Sequence, residues 1–450
     1  MSTAEERGSG AGGGKVQQAA GEALTVPAGV VPSLIRPARS RVRNQEDSMT
    51  TTAGPTIRPF EVHVPDEDLA DLRRRAGATR WPGKELVADR AQGVQLAAIQ
   101  ALVTYRGAGY DWRACEAKLN ALPQFVTEID GLNIHFIHVK SRHLNALPLI
   151  ITHGWPGSVI ELLGVVGPLT DPTAHGGRAE DAFDLVLPSL PGYGFSEQPQ
   201  SVGWDPGHTG RAWAELMTRV GYTRYVAQGG DVGAGVCDAM AIQAPDGLAG
   251  VHLNFLRRPP VEVLAALLGR APVPQGFTDD ERAALAAFGA QARKGYAAEQ
   301  GQSPQTIGYA LTDTPAGLAA WMLDHDTDSY EKISRAFTGG QPSGGLTRDH
   351  ILDNMTLYWV TNTATSAARM YWEGGRSTAA AAGNPPPEVS LPAAFTVFPG
   401  EIFQAPRNWV EEVYPNLIYF HQADRGGHFA AWEEPDLFAS ELRAAFSSLR

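Results

Sequence analysis

The chain has 450 residues, of which 43% are hydrophobic and 19% charged, so it is long enough for one large core with an insertion or a second small domain. Its formal net charge of -12 argues against a nucleic-acid partner, because phosphate binding requires a concentrated positive field. No apolar run reaches the roughly 18 residues of a membrane-spanning helix, so no membrane partner is expected.

The cysteines and the N-terminus indicate the compartment. Cys115 and Cys237 lie far apart without metal-ligand spacing, so neither a disulfide framework nor a metal site is expected. Acids at Glu5 and Glu6, and the lack of an apolar signal-peptide core, favour a cytoplasmic location. Residues 1–56, rich in Gly, Ala and Ser, are predicted to be a disordered extension, and Met49 within it is a hypothetical translation start.

Helical patterns come first after this extension, in a predicted N-terminal module over residues 57–120. Asp66 is placed to cap a helix that continues through Leu69 and Leu72, and a second helical pattern runs from Val94 to Leu102. Residues 125–139 then read as two strands around Asp130-Gly131, a dipeptide that suits a type I′ hairpin turn.

Strands and helices alternate next, which predicts an α/β fold with a mostly parallel, doubly wound sheet. Residues 121–256 form its first part, with strands at 149–152, 183–187, 224–227 and 250–254. Residues 257–392 are rich in Ala and Leu without a strand signal, and we predict a helical lid there. Residues 393–450 complete the sheet with strands at 395–398 and 417–420, followed by a final helix that starts at Pro435.

The third of these strands leads into an unusual turn. Residues 225–233 read Tyr-Val-Ala-Gln-Gly-Gly-Asp-Val-Gly, so Asp231 stands at the centre of a turn between small residues. This pattern is typical of the nucleophile elbow of α/β-hydrolases, with aspartate in the serine position. A carboxylate is already ionised at neutral pH and attacks saturated carbon without a base, which indicates alkyl transfer. A plain turn with a solvated Asp is the alternative.

A base and an acid should follow the nucleophile in chain order, each in a loop at a strand end. Glu401 lies just after the strand that ends at Phe398, and His428 lies between the last strand and the last helix. We predict His428 as the base. Glu401 by itself is typical of a solvated loop acid, and its assignment as the carboxylate partner rests on the family resemblance described below. Asp424 is a rival partner for His428.

The loop His153-Gly154-Trp155-Pro156-Gly157 directly follows an earlier strand. Such a loop can aim a backbone N–H at a developing oxyanion, so Trp155 is predicted to supply one donor. Val232, the residue after the nucleophile, is predicted to supply the other. A tight Gly-Pro turn without a catalytic role is the alternative interpretation.

Together these motifs resemble the microsomal-type epoxide hydrolases over roughly residues 57–450. The matching stretches are residues 79–82 (Thr-Arg-Trp-Pro), 153–157 (His-Gly-Trp-Pro-Gly), 191–196 (Pro-Gly-Tyr-Gly-Phe-Ser), the Asp231 elbow, 398–401 (Phe-Pro-Gly-Glu) and 425–431 (Arg-Gly-Gly-His-Phe-Ala-Ala). The resemblance implies two lid tyrosines that activate the oxirane oxygen, and by local motif these are Tyr296 and Tyr371. Unlike the membrane-bound members, this sequence lacks an N-terminal apolar anchor.

The implied reaction opens a hydrophobic epoxide to a vicinal diol through an ester on Asp231, with water as co-substrate and without a cofactor. Haloalkane dehalogenation also uses an aspartate nucleophile, but a halide needs N–H donors such as an indole beside it, and Val232 occupies that position. A catalytically silent scaffold that binds a ligand is the third hypothesis. The sequence is compatible with a role in detoxification, as in aromatic hydrocarbon catabolism, and with a role in biosynthesis. It is also compatible with a homo-oligomer.

Overall fold

A computed structural model describes residues 56–292, 294–381 and 387–450. Most of the predicted extension 1–56, including Met49, lies outside the described residues.

The N-terminal segment contributes one edge strand and three helices. They are β1 Arg58–Pro59, α1 Asp66–Gly77, α2 Leu96–Ala108 and α3 Trp112–Asn120. The predicted cap at Asp66 is wrong, because Pro65 holds the N-cap position and Asp66 is the first helical residue. Its carboxylate forms an ion pair with Arg113, and its negative charge interacts favourably with the positive end of the helix dipole. Leu69 and Leu72 are buried, as the helical spacing predicts.

The described strands form one nine-stranded sheet in the order β1-β2-β3-β5-β4-β6-β7-β8-β9. Strands after the first are β2 Gln124–Ile129, β3 Leu132–Val139, β4 Leu147–Thr152, β5 Phe183–Pro188, β6 Tyr225–Gly229, β7 Leu248–Leu253, β8 Ala393–Val397 and β9 Leu417–Gln422. Strands β1 to β3 pair antiparallel, and β3 pairs antiparallel with β5. The remaining six strands are parallel, which confirms the mostly parallel sheet.

The hairpin between β2 and β3 turns at the dipeptide that the sequence indicates. Asp130 and Gly131 have φ angles of 50° and 77°. Both lie in the left-handed region, as a type I′ turn requires.

Helices cover the sheet and fill the long insertion. In the first part of the core they are α4 Val166–Thr170, α5 Pro206–Arg219 and α6 Asp231–Gln243. The insertion holds α7 Val261–Leu267, α8 Asp279–Ala292, α9 Gly295–Gln302, α10 Pro304–Leu311, α11 Pro315–Leu323, α12 Thr327–Phe337, α13 Arg348–Thr361 and α14 Ala364–Ala381. The last are α15 Arg407–Val413, α16 Ala430–Glu433 and α17 Pro435–Ala445. Short 3₁₀ helices span Val159–Val165, Pro172–His175, Ala179–Asp181 and Ser447–Leu449.

The described residues of the insertion form helices joined by loops, and no strand occurs among residues 257–292, 294–381 and 387–392. Within the described part of the chain, no helix combines the length and apolarity that crossing a bilayer would need.

The parallel strands at the centre are buried on both faces, so their sequences are almost continuously apolar. Strand β4 lies between β5 and β6, and the chain therefore crosses over in opposite directions on its two sides. Parallel α/β sheets bind ligands at the carboxyl ends of strands near such a point. Loops after β4, β6, β8 and β9 all leave from this edge, and they carry Trp155, Asp231, Glu401 and His428.

Candidate active site

The turn between β6 and α6 has the geometry of a nucleophile elbow. Asp231 adopts a φ of 45°, a left-handed conformation that costs about 1–3 kcal/mol in a non-glycine residue. A Cβ atom at Gly229 would lie 2.1 Å from the carbonyl oxygen of Gly233, and one at Gly233 would lie 2.1 Å from that of Thr152. Both positions therefore require glycine, and the turn presents the Asp231 carboxylate at the edge of the sheet.

One oxygen of this carboxylate is held by the loop after β4. The backbone N–H of Trp155 donates to Asp231 Oδ1 over 2.8 Å. A side chain at Gly154 would collide with the same oxygen, since its Cβ would lie 2.4 Å away. Val232 lies in the first turn of α6, where backbone N–H groups lack helical acceptors, and its donor role stays a prediction. The other oxygen, Oδ2, faces the imidazole rings of His325 and His428.

His428 faces that second oxygen. Its Nε2 lies 3.5 Å from Asp231 Oδ2, and its Nδ1 lies 2.5 Å from Glu401 Oε1. The two loops are joined by a bridge between Gly400 and Gly427, next to the pair that they position. The structure thus brings Asp231, His428 and Glu401 together in one buried group.

Asp424, the rival partner, lies on the surface. Its side chain is 80% exposed and pairs with Arg425 at 3.1 Å. The structure therefore gives the orienting position beside His428 to Glu401.

The charges in this buried group reinforce one another. Burial by itself would raise the pKa of Asp231, but the adjacent imidazoles of His325 and His428 lower it well below its ordinary value. For His428, burial favours the neutral ring, yet Glu401 and Asp231 together raise its pKa well above the usual range. These shifts favour the ionised form of Asp231 and the protonated form of His428.

The two lid tyrosines approach from α9 and α14. Their ring centroids lie 6.2 Å apart, and Gln291 Nε2 donates to the Tyr296 hydroxyl over 2.7 Å. Burial raises the pKa of Tyr296 and of Tyr371 well above 10, and the charge of Asp231 adds to this effect. Both phenols are consequently proton donors at neutral pH.

His325 is a site residue that the sequence analysis missed. It follows α11, is 1% exposed, and places Nε2 3.8 Å from Asp231 Oδ2. Its Nδ1 lies 2.9 Å from Asp326 Oδ2, so it forms a second imidazole–carboxylate pair. The local run Asp324-His325-Asp326 at a helix start is its only sequence signal, and nothing in that run connects it to the elbow.

Glu161 is the second residue that was missed. It lines a small cavity together with Asp231, His428, Gln228 and Asn254, and its Oε2 is buried without a hydrogen-bond partner among the described residues. Burial, with a contribution from the Asp231 charge, raises the pKa of Glu161 well above its ordinary value. Its environment therefore favours the neutral form of Glu161 beside Asp231.

Comparisons with known proteins identify the family. Residues 57–162 match the family model described as the epoxide hydrolase N terminus, and residues 148–332 match that of the alpha/beta hydrolase fold. A candidate epoxide hydrolase of Stigmatella aurantiaca is 50% identical over 88% of this chain and 86% of its own length. Epoxide hydrolase 1 of Sus scrofa is 36% identical over 86% of this chain and 88% of its own.

The chain belongs to the epoxide hydrolases.

Solved structures of this family share the fold. The juvenile hormone epoxide hydrolase of the silkworm Bombyx mori superposes with a TM-score of 0.74 at 28% identity, covering 88% of this chain and 95% of that one. The Aspergillus niger epoxide hydrolase gives a TM-score of 0.73 at 29% identity, with coverages of 88% and 97%. The α/β-hydrolase fold and the family resemblance that the motifs indicate are therefore confirmed.

Proposed function

We propose that this protein hydrolyses hydrophobic epoxides to vicinal diols through a covalent ester on Asp231. The main support for the proposal is that the two carboxylate oxygens of Asp231 have different neighbours. Trp155 holds Oδ1 through its N–H, while Oδ2 faces the base, so Oδ2 is the oxygen free to attack carbon. The same N–H is then in place to stabilise the oxyanion when the ester is hydrolysed.

Ring opening is the first half-reaction. Oδ2 bonds to an oxirane carbon, the carbon–oxygen bond of the ring breaks, and the departing oxygen takes a proton from Tyr296 or Tyr371. A phenol suits this task because it stays protonated at neutral pH yet donates to a far more basic alkoxide. The raised pKa of both phenols keeps the proton in place until the alkoxide forms.

Ester formation itself prepares the base. Part of the raised pKa of His428 comes from the charge of Asp231, and that charge disappears when Oδ2 is alkylated. His428 then releases a proton, which restores the one that ring opening consumed. The neutral ring, oriented by Glu401, accepts a proton from water as the water attacks the ester carbonyl carbon. The bond between the carbonyl carbon and Oδ2 then breaks, and the departing alkoxide takes the second proton of the water from the new carboxyl group. The diol leaves with Oδ2, Asp231 is again a carboxylate, and His428 is again protonated.

The side chains around a cavity under the lid support a hydrophobic substrate. A cavity beside His325 is bounded mainly by apolar side chains, among them Met322, Ile333, Met355 and Phe429. Such a cavity favours an aromatic or aliphatic epoxide over a charged one. We place its role in epoxide metabolism, with detoxification and aromatic hydrocarbon catabolism as the roles to examine. A panel of aromatic, aliphatic and anionic epoxides assayed for diol tests this class.

Isotope labelling tests the ester directly. One turnover in ¹⁸O-water should place the label in the peptide that contains Asp231, because the water oxygen enters the carboxylate and the old oxygen leaves in the diol. Asp231→Ala should form no diol, with Asp424→Ala as the surface-acid control. Diol formation without label in that peptide would contradict the ester mechanism.

A further inference from the structure

The three polar atoms that meet at the nucleophile form an arrangement that hydrolysis alone does not require. Asp231 Oδ2, His325 Nε2 and His428 Nε2 lie within 4.8 Å of one another, and all three residues are buried. Neither Nε2 has a hydrogen-bond partner among the described residues. Two imidazole nitrogens and one carboxylate oxygen therefore converge on the same small volume.

We propose that Asp231, His325 and His428 form a binding site for a divalent transition metal of the Zn²⁺ class, and that bound metal reversibly blocks the enzyme.

The spacing suits a tetrahedral ion. Bonds of about 2.0–2.1 Å in tetrahedral geometry separate neighbouring ligand atoms by about 3.3 Å. The observed separations from Asp231 Oδ2 are 3.5 Å to His428 Nε2 and 3.8 Å to His325 Nε2. Small side-chain shifts would close them onto an ion, and a water molecule would supply the fourth ligand, as in sites with two histidines and one carboxylate.

The outer contacts of both histidines match those of metal ligands. A metal-binding histidine usually donates its other ring N–H to a carboxylate, which fixes the ring and strengthens the ligand. Glu401 does this for His428, and Asp326 does it for His325, at 2.5 and 2.9 Å. Asp326 is itself held by the N–H of Ser329 at 2.7 Å. Both rings are thus fixed with Nε2 towards the shared oxygen.

The consequence for activity follows from the atoms involved. A bound ion would occupy Oδ2, the proposed attacking atom, and Nε2 of His428, the proposed base. It would therefore stop both half-reactions. The inhibition rests on the proposed function, whereas metal binding does not.

The decisive measurement is metal binding by the full chain without an affinity tag. Zn²⁺ should bind with one equivalent per chain in competition with a chromophoric chelator, and Co²⁺ should give the visible absorption of a tetrahedral site. His325→Phe and His325→Gln should each weaken binding at least about 100-fold, and Asp326→Asn about 10–100-fold. The two replacements at His325 differ in size and polarity, and circular dichroism verifies that each is folded.

His421→Gln is the matched control. His421 also forms an imidazole–carboxylate pair, with Glu441 at 3.0 Å, but it lies half-exposed on β9. Its replacement should leave Zn²⁺ affinity unchanged. Unaltered affinity in both folded His325 variants, or a loss in His421→Gln as large as theirs, would overturn the site.

Activity supplies a separate measurement. Zn²⁺ should suppress diol formation, and a chelator should restore it, with the inhibition constant rising in each His325 variant relative to its own metal-free rate. Full turnover by metal-saturated enzyme would overturn the placement at Asp231. A chain that binds Zn²⁺ yet hydrolyses no epoxide without metal would contradict the proposed function and leave the metal site supported.

Discussion

The two halves of the site come from different parts of the fold and are built differently. Asp231, Glu401, His428 and Trp155 lie in loops at the carboxyl edge of the sheet, where parallel strands and short glycine turns position them. His325 and the tyrosines lie in the helical insertion, at helix starts and on helix faces. In the proposed mechanism, the core half forms and hydrolyses the ester, and the lid tyrosines donate the proton during ring opening.

This difference teaches where the chemistry tolerates change. The backbone around Asp231 is closely packed, because its neighbouring glycines have no room for a side chain. A residue at the sheet edge can therefore act from one backbone position only. A lid residue shares its task with a neighbour, as Tyr296 does with Tyr371. Core substitutions should therefore stop turnover, whereas single lid substitutions should slow it.

The largest expected effect is that of His428→Gln. Without a base the ester should persist, so turnover should fall on the order of 10⁴-fold while the first equivalent of epoxide is still consumed. Mass spectrometry of intact protein after mixing should show the added mass of the substrate. A turnover rate near that of the wild type would remove His428 from its role, and His421→Gln serves as the control.

Tyr296→Phe and Tyr371→Phe should have intermediate effects, each slowing ring opening about 10–100-fold, because the other phenol still donates to the alkoxide. The double variant should lose far more. Single-turnover rates of ester formation measure this. Equal rates in the wild type and in all three variants would assign both tyrosines to packing.

His325→Phe should have a smaller effect, on the acid limb of the pH profile of the ring-opening rate. Two imidazoles keep the pKa of Asp231 below its ordinary value. The wild-type rate of ring opening should therefore stay constant until the pH falls below the pKa of a free aspartate. His325→Phe removes one of these imidazoles, and burial then raises the pKa. The rate should therefore begin to fall at a higher pH. Identical acid limbs of the single-turnover rate in the two proteins would refute this coupling.

The smallest effect concerns stability at the start of α12. Asp326 accepts the N–H of Ser329 as the N-cap of this helix, so Asp326→Ala should lower the free energy of unfolding by about 1 kcal/mol. Asp326→Asn keeps a capping oxygen and should cost less. Urea unfolding of both variants compares them, and a larger loss in Asp326→Asn would contradict the capping role.

Much of the core half could be predicted from the sequence, because each element carries a local signal. The elbow was recognisable from a short strand followed by Asp231 between small residues, and Glu401 and His428 each follow a strand. The hairpin at Asp130-Gly131 was equally local. The cap at Asp66 was predicted wrongly because capping depends on where the first turn begins, and Pro65 shifts that start by one residue.

The sequence by itself indicated a carboxylate at the elbow, the chain order of Asp231, Glu401 and His428 after successive strands, and the parallel sheet that gathers them, because these depend on residue type and short-range pattern. Only the tertiary structure decided that His325 faces the same oxygen as His428, that Glu161 lies buried in a cavity with Asp231, and that Oδ1 is held while Oδ2 is free. These facts depend on contacts between segments that are far apart in the chain, and such contacts leave no periodicity in the sequence.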